Sequence, residues 1–288
     1  MRHSRRFPIT LGSILVAFVF WTGCESIQNV AKSKIPVAKA SDLRITGADF
    51  SSLDLEVDLE IENPNSFAVT LSGLAYDLVI NQRSILQGDQ EKALRIDAAQ
   101  QSTISIPMSL SLQNLLSEFP EILRQDTFDY QLDTRTQFNL PLIGDIGVPL
   151  TKTGSLPVIR PPKIKDVSLT KRAINLTGAD LDLEVAFENP NNFDLALKEL
   201  TYTFGSKQQN WASGTTKEAL ALTPNKEGSI HIPLQLSFLS LGKTVFQLLT
   251  GDQEFQAAFD GNMTLDSSLE YLQQTQLPFQ FEKSFRLK

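Results

Sequence analysis

The sequence predicts a mainly β fold: two tandem antiparallel β-sandwich domains, each with one amphipathic helix. Three observations carry that expectation. The tetrapeptide Glu-Asn-Pro-Asn stands at 62–65 and again at 188–191, an offset of 126 residues. Long stretches alternate strictly between apolar and acidic residues, the period of a half-buried strand. The chain of 288 residues, 41% hydrophobic and 20% charged, is long enough for two domains of ordinary size with cores of their own.

The duplication has almost no slippage. At the same offset Leu43 meets Leu169, Leu74 meets Leu200, Tyr76 meets Tyr202 and Gly88 meets Gly214. Ile106-Pro107 meets Ile232-Pro233, and Ile122-Leu123 meets Leu248-Leu249. A repeat this long is a duplicated domain rather than a short solenoid unit. The first domain is expected at 36–158 and the second at 164–288, joined by a stiff Pro-rich linker at 159–163.

The start of the chain is read apart from the fold. Arg2, His3, Arg5 and Arg6 form a basic leader, and 9–21 is an apolar run of 13 residues. A transmembrane helix needs about 20, so the run fits the apolar core of a secretory signal at 1–23. Cys24 follows the small residues Thr22 and Gly23 and is the only cysteine. By itself a lone cysteine reads as a small buried apolar residue. In this setting it resembles the lipobox of bacterial lipoproteins, although Trp21 stands where that pattern usually has Leu, Val or Ile. The resemblance implies an acylated Cys24, carrying palmitate-type chains, as the mature N-terminus and a lipidated tether at 24–35. Glu25 in place of Asp implies an outer-membrane lipoprotein of the cell envelope, facing the periplasm. Without residues 1–23 the chain has 23 basic and 33 acidic residues, a net charge of −10. Such a chain as a whole is a poor partner for nucleic acid and for electrostatic docking on anionic lipid. With a single cysteine, no disulfide within the chain is available to hold the fold.

Within the first copy, Leu53, Leu55, Val57, Leu59 and Ile61 alternate with Asp54, Glu56, Asp58, Glu60 and Glu62. Leu181, Leu183, Val185 and Phe187 repeat the pattern. Further strands are expected at 69–80, 103–109 and 130–138, with counterparts at 195–204, 229–237 and 255–265. Leu112, Leu115, Leu116, Phe119, Ile122 and Leu123 follow helical spacing, with a kink or restart at Pro120. Leu241, Val245, Leu248 and Leu249 form the matching set, with Gly251 as the stop. Many strands, regular turns and one helix suit an immunoglobulin- or fibronectin-III-like sandwich.

Each Glu-Asn-Pro-Asn ends a long strand. Pro64 and Pro190 lack an N–H and stop the ladder. Asn63 and Asn189 are pushed toward extended geometry, and Asn65 and Asn191 are expected to bond their own backbone two residues on. A structural turn is preferred to a ligand contact, because a single active site is seldom kept twice. An acidic alternating strand running into Asn-Pro-Asn, then Gly73-Leu74-Ala75-Tyr76, then Ile-Pro before a strand and helix, resembles the late embryogenesis abundant type 2 domain, also called the water stress and hypersensitive response (WHy) domain. The second copy departs at Glu199, which stands in place of Gly73. The resemblance covers nearly all of both copies. It implies a folded β-sandwich, a link to desiccation and stress tolerance, and no catalytic mechanism.

Chemistry is sparse. His3 leaves with the signal, and His231 aligns with Ser105 at an outward position. With no second histidine there and no second cysteine, no zinc or Cys/His site is expected, and no phosphate loop or cofactor motif is present. The acidic strand faces are expected to be solvated. The expectation is therefore a non-enzymatic, membrane-anchored protective or binding protein without metal or cofactor, whose partners are the membrane, lipids or stressed proteins. The alternative is a lipid-binding module with a groove between helix and sheet, lined by Leu112, Leu115, Leu116, Phe119, Leu241, Val245 and Leu248.

Overall fold

The computed structural model describes residues 35–91, 93–141, 143–251 and 253–287. The signal-like start, Cys24 and the tether up to residue 34 lie outside the described residues.

Strands make up most of both repeats. The first runs β1 (Val37–Ala40), β2 (Arg44–Ala48), β3 (Ser52–Glu62), β4 (Val69–Ile80), β5 (Arg83–Gln90), β6 (Leu94–Ile96) and β7 (Gln101–Ser111). Helix α1 (Leu112–Glu118) and a 3-10 turn (Pro120–Arg124) follow, then β8 (Thr127–Leu140) and β9 (Gly144–Pro157). The second runs β10 (Lys163–Ile174), β11 (Gly178–Glu188), β12 (Leu195–Ser206), β13 (Gln209–Thr216), β14 (Leu220–Leu222) and β15 (Glu227–Ser237). It closes with α2 (Phe238–Leu241), α3 (Lys243–Thr250), β16 (Phe255–Ser267) and β17 (Thr275–Phe285).

Each repeat forms two sheets, and every pairing whose register is described is antiparallel. In one sheet β3 lies between β7 and the pair β1 and β2, as β11 lies between β15 and β10. The other sheets run β5-β4-β8-β9 and β13-β12-β16-β17, with β6 also on β4 and β14 also on β12. The apolar set of β3 is buried throughout, from Leu53 to Ile61, as is that of β11 from Leu181 to Phe187. Period two sends one set of side chains inward and leaves the other at the surface, so the alternation dictates the register.

The duplication is not perfect in structure. Where β10 is continuous, the first repeat breaks at Ser41, Asp42 and Leu43. Ser41 stitches the gap: its N–H donates to Asp58 O at 2.8 Å, and its hydroxyl accepts the Asp58 N–H at 2.9 Å. The helices also differ. Pro120 ends α1 as expected, and the chain restarts as a 3-10 turn. The matching helix is not one element, because Gly242 at φ 85° splits it into α2 and α3. Only glycine takes that backbone readily. The apolar spacing of Leu241, Val245, Leu248 and Leu249 conceals the break. Gly251 does stop α3, with its N–H on Gln247 O at 2.9 Å, but it is extended rather than left-handed.

The chain divides into two compact units. Among the described residues, those up to Asp42, with Val57–Ile106 and Tyr130–Gly154, form the first; Leu43–Glu56, Pro107–Asp129 and those from Ser155 on form the second. The core of the first includes Val57, Leu59, Ile61, Leu71, Leu78, Leu132 and Phe138. That of the second includes Leu53, Leu55, Leu115, Ile122, Leu183, Phe204 and Phe259. Val158, Ile159 and Arg160 belong to the second unit and are buried, so this connection is packed rather than solvated.

Candidate functional site

The repeated Asn-Pro-Asn turns are the most distinctive local structure. Asn63 and Asn189 are fully buried, and Asn65 and Asn191 are 2% and 0% exposed. A buried amide has to be hydrogen-bonded. In the second copy Asn189 Nδ2 donates to Phe193 O at 2.7 Å and Leu222 O at 2.9 Å. Its Oδ1 accepts the Asn191 N–H and the Asn191 Nδ2, both at 3.0 Å. Asn63 does the same: Nδ2 reaches Phe67 O at 2.8 Å and Asp97 O at 2.9 Å, and Oδ1 accepts the Asn65 N–H at 3.0 Å. The bond to a backbone two residues on is therefore made by the asparagine before proline, not by the one after it. Proline explains the reversal. It carries no N–H, so the first free donor past Asn63 or Asn189 is the residue two on, within reach of the Oδ1.

The second asparagine reaches elsewhere. Asn191 Oδ1 accepts the Arg160 N–H at 2.9 Å, and its Nδ2 donates to Arg160 O at 2.8 Å. The side-chain amide thus reads the connecting backbone as a strand partner would. Arg160 itself is buried. Nε donates to Leu123 O at 2.9 Å, Nη1 to Pro190 O at 3.1 Å, and Nη2 to Gln125 O. Burial lowers its pKa, and Asp126, 3.9 Å away, pulls it back up. Arg160 was missed by the sequence reading. The available signal was a cation before proline in the linker, since carbonyl-rich turns select a guanidinium fork. A loop residue of left-handed backbone completes each turn: Ala99 at φ 54° donates to Asn65 O, and Asn225 at φ 55° donates to Asn191 O.

The repeated tyrosine and glycine also acquire a cause. Tyr76 lies opposite Gly88 and Tyr202 opposite Gly214. A methyl group on Gly214 would approach the Tyr202 hydroxyl oxygen to 2.9 Å, so the ring occupies the space a side chain would need. Tyr76 and Gly88 line an open depression of about 660 Å³ with Asp77, Asp133, Arg135 and Leu150. Two of its carboxylates are engaged: Ser84 Oγ donates to Asp77 and Thr151 Oγ1 to Asp133, each at 2.6 Å.

The acidic strand faces are more ordered than a bare solvated face. Ser109 donates to Asp54 at 3.0 Å and Ser105 to Asp58 at 2.6 Å, while Arg44 pairs with Glu56. In the second copy Asp182 holds Arg172 at 2.9 Å and His231 Nδ1 at 3.0 Å. Lys165 bonds Glu188 at 3.0 Å, which raises its pKa. His231 is 56% exposed, at the outward position its alignment with Ser105 predicts. Among the described residues no three His, Cys, Asp or Glu side chains are grouped to hold a metal ion. Of the residues named for a groove, Leu112, Leu115, Phe119 and Val245 are covered by the protein itself. Leu116, Leu241 and Leu248 are half-buried.

The fold and its buried asparagine turns define a duplicated, β-rich class of protein. The chain belongs to the late embryogenesis abundant protein family LEA_2, whose family model matches residues 58–154 and 184–270. It is 22% identical over 139 residues to a desiccation-related protein of Arabidopsis thaliana, covering 48% of this chain and 82% of that one. It is also 22% identical over 141 residues to late embryogenesis abundant protein Lea14-A of Gossypium hirsutum, covering 49% of this chain and 91% of that one. Among solved structures, the solution structure of a putative late embryogenesis abundant protein is similar at 20% identity and TM-score 0.37. That match covers 51% of this chain and 84% of the other.

Proposed function

We propose that this chain is a non-catalytic, stress-protective lipoprotein of the cell envelope. In this reading two sandwich domains, at 36–158 and 164–288, are held at the outer membrane by acyl groups on Cys24 and offer hydrated, polar surfaces to neighbouring proteins during drying. The observation that carries the reading is the use of the duplicated motif. Asn63, Asn65, Asn189 and Asn191 are buried and bonded to their own fold, so the strongest sequence signature serves architecture. Membership of the LEA_2 family and the desiccation-related names of the relatives support the stress role. Two sheets per repeat, each with one buried face, support the immunoglobulin- or fibronectin-III-like arrangement.

The test has two arms. Metabolic labelling with palmitate should mark the envelope form of the chain and leave Cys24→Ala unmarked. Cells lacking the chain should survive drying less well, with rescue by the wild type and weaker rescue by Cys24→Ala. Equal labelling of both forms sinks the anchor, and unchanged survival sinks the protective role. A lipid copurifying in defined stoichiometry with the detergent-free chain would instead favour the lipid-binding alternative.

A further inference from the structure

The same turn is built twice and finished differently. At the β2–β3 turn Asp49 Oδ1 accepts the Ser51 N–H and hydroxyl at 2.6 Å and the Ser52 N–H at 2.7 Å. At the β10–β11 turn Asn175 Oδ1 accepts the Thr177 N–H at 2.8 Å, the Thr177 hydroxyl at 2.7 Å and the Gly178 N–H at 3.0 Å. Ser51 O then accepts the Leu112 N–H at 2.8 Å, as Thr177 O accepts the Phe238 N–H at 2.9 Å. The backbones match; the surfaces do not. The first turn is seated, with the Ala48 N–H on Tyr271 O at 2.8 Å and Phe50 half-buried. The second carries Leu176 at 85% and Leu239 at 87% exposure. Gly178 pairs with Ser237, so both leucines sit at the same end of one strand pair. Scattered exposed leucines are ordinary, but two bare ones at one end of a strand pair, one in the β10–β11 turn and one in α2, mark a contact surface.

Charge distinguishes the turns in the same direction. Asp49 gives way to Asn175, Gln113 to Leu239, Ile45-Thr46 to Lys171-Arg172 and Ser117 to Lys243. Neither 167–179 nor 228–251 contains an Asp or Glu, in a chain of net charge −7, and the nearest carboxylates across the strand pair are Asp180 and Asp182 on β11. Lys171, Arg172 and Lys243 are exposed, and Arg172 also touches Asp182 at 2.9 Å. We propose that this turn docks on an anionic bilayer, with Leu176 and Leu239 entering its apolar layer and Lys171, Arg172 and Lys243 at the headgroups. Apolar tips framed by cations are what such a surface binds. An apolar pocket on a second protein would take the leucines alone, whereas the local basic frame in an acidic chain selects the lipid. The contact is independent of acylation at Cys24.

The test uses the full chain in a Cys24→Ser background, with a polarity-sensitive dye on Leu239→Cys, on Leu176→Cys, or on Gln113→Cys as control. The apolar start can bring the chain to vesicles unaided, so total binding is not the readout. With vesicles of phosphatidylglycerol and phosphatidylethanolamine, the dyes at 176 and 239 should shift to the blue and be quenched by brominated lipid, and the dye at 113 should not. Lys171→Glu with Lys243→Glu should raise the lipid concentration for half-maximal shift by about thirtyfold or more. Dyes that stay in water on vesicle-bound chain overturn the proposal. So does a blue shift that grows with protein concentration in the absence of lipid, which would assign the surface to a second copy of the chain.

Discussion

Asn189→Asp is the most incisive change, because it alters one atom in a fully buried turn. The Oδ1 that accepts from Asn191 is kept, while the Nδ2 becomes an oxygen facing Phe193 O and Leu222 O at 2.7 and 2.9 Å. Two hydrogen bonds of about 1 kcal/mol each are lost, and a buried acceptor is set against two others. Adding the cost of an unpaired buried charge brings the loss to about 3–5 kcal/mol at neutral pH. For a chain of this size that lowers Tm by roughly 6–20 °C. The pH dependence follows from the sign of the shift. Burial raises the folded-state pKa of the new carboxyl above its unfolded value of about 3.9. The charge penalty is then full above the folded pKa, fades as pH falls and is gone below the unfolded value. Urea unfolding followed by circular dichroism at pH 7 and near pH 4 measures both effects, with the wild type as reference at each pH. A loss below 1 kcal/mol at pH 7, or the same loss at both values, would refute the argument that this asparagine holds the turn by donating.

Three further changes probe the same construction. Arg160→Met removes the donors that serve Leu123 O, Gln125 O and Pro190 O and should destabilise by about 2–4 kcal/mol in urea titration, while a loss under 1 kcal/mol would reduce the guanidinium to a filler. Ala99→Asn, at φ 54°, should gain up to about 1 kcal/mol and Asn225→Ala should lose a similar amount, both read from thermal melts; no change in either would mean the left-handed residue carries no strain. Asp49→Asn copies the second turn into the first. Burial alone would raise the Asp49 pKa, but the Ser51 and Ser52 hydrogen bonds outweigh it and the net shift is downward. Its carboxylate therefore adds stability above the unfolded pKa that is lost as pH falls through the folded one. The variant should accordingly gain on the wild type below about pH 4 in acid melts, and parallel curves would count against that contribution.

The sequence determined the alternating strands β3 and β11 and the duplication, because period-two alternation and a fixed offset are local or arithmetic properties, whereas β5 and β13 lack that clear alternation and, like β9 and β17, were not expected. Leu53 to Ile61 and Leu181 to Phe187 must face inward whichever element covers them. The family was also legible, since the strand, the Asn-Pro-Asn turn and the tyrosine strand are contiguous. Pro120 was readable as a helix stop because a missing N–H acts within its own turn. Other features were decided only by tertiary structure. Which asparagine closes the turn depended on which amide had donors within reach once proline removed one. That Arg160 is buried among carbonyls depended on residues from Leu123 to Pro190, distant in sequence and adjacent in space. The difference between the two β-turns was already present as Asn175, Leu176 and Leu239, but the three meant nothing together until folding set them on one end of a strand pair. Periodicity reports which way a side chain points; only the packed chain decides what it meets.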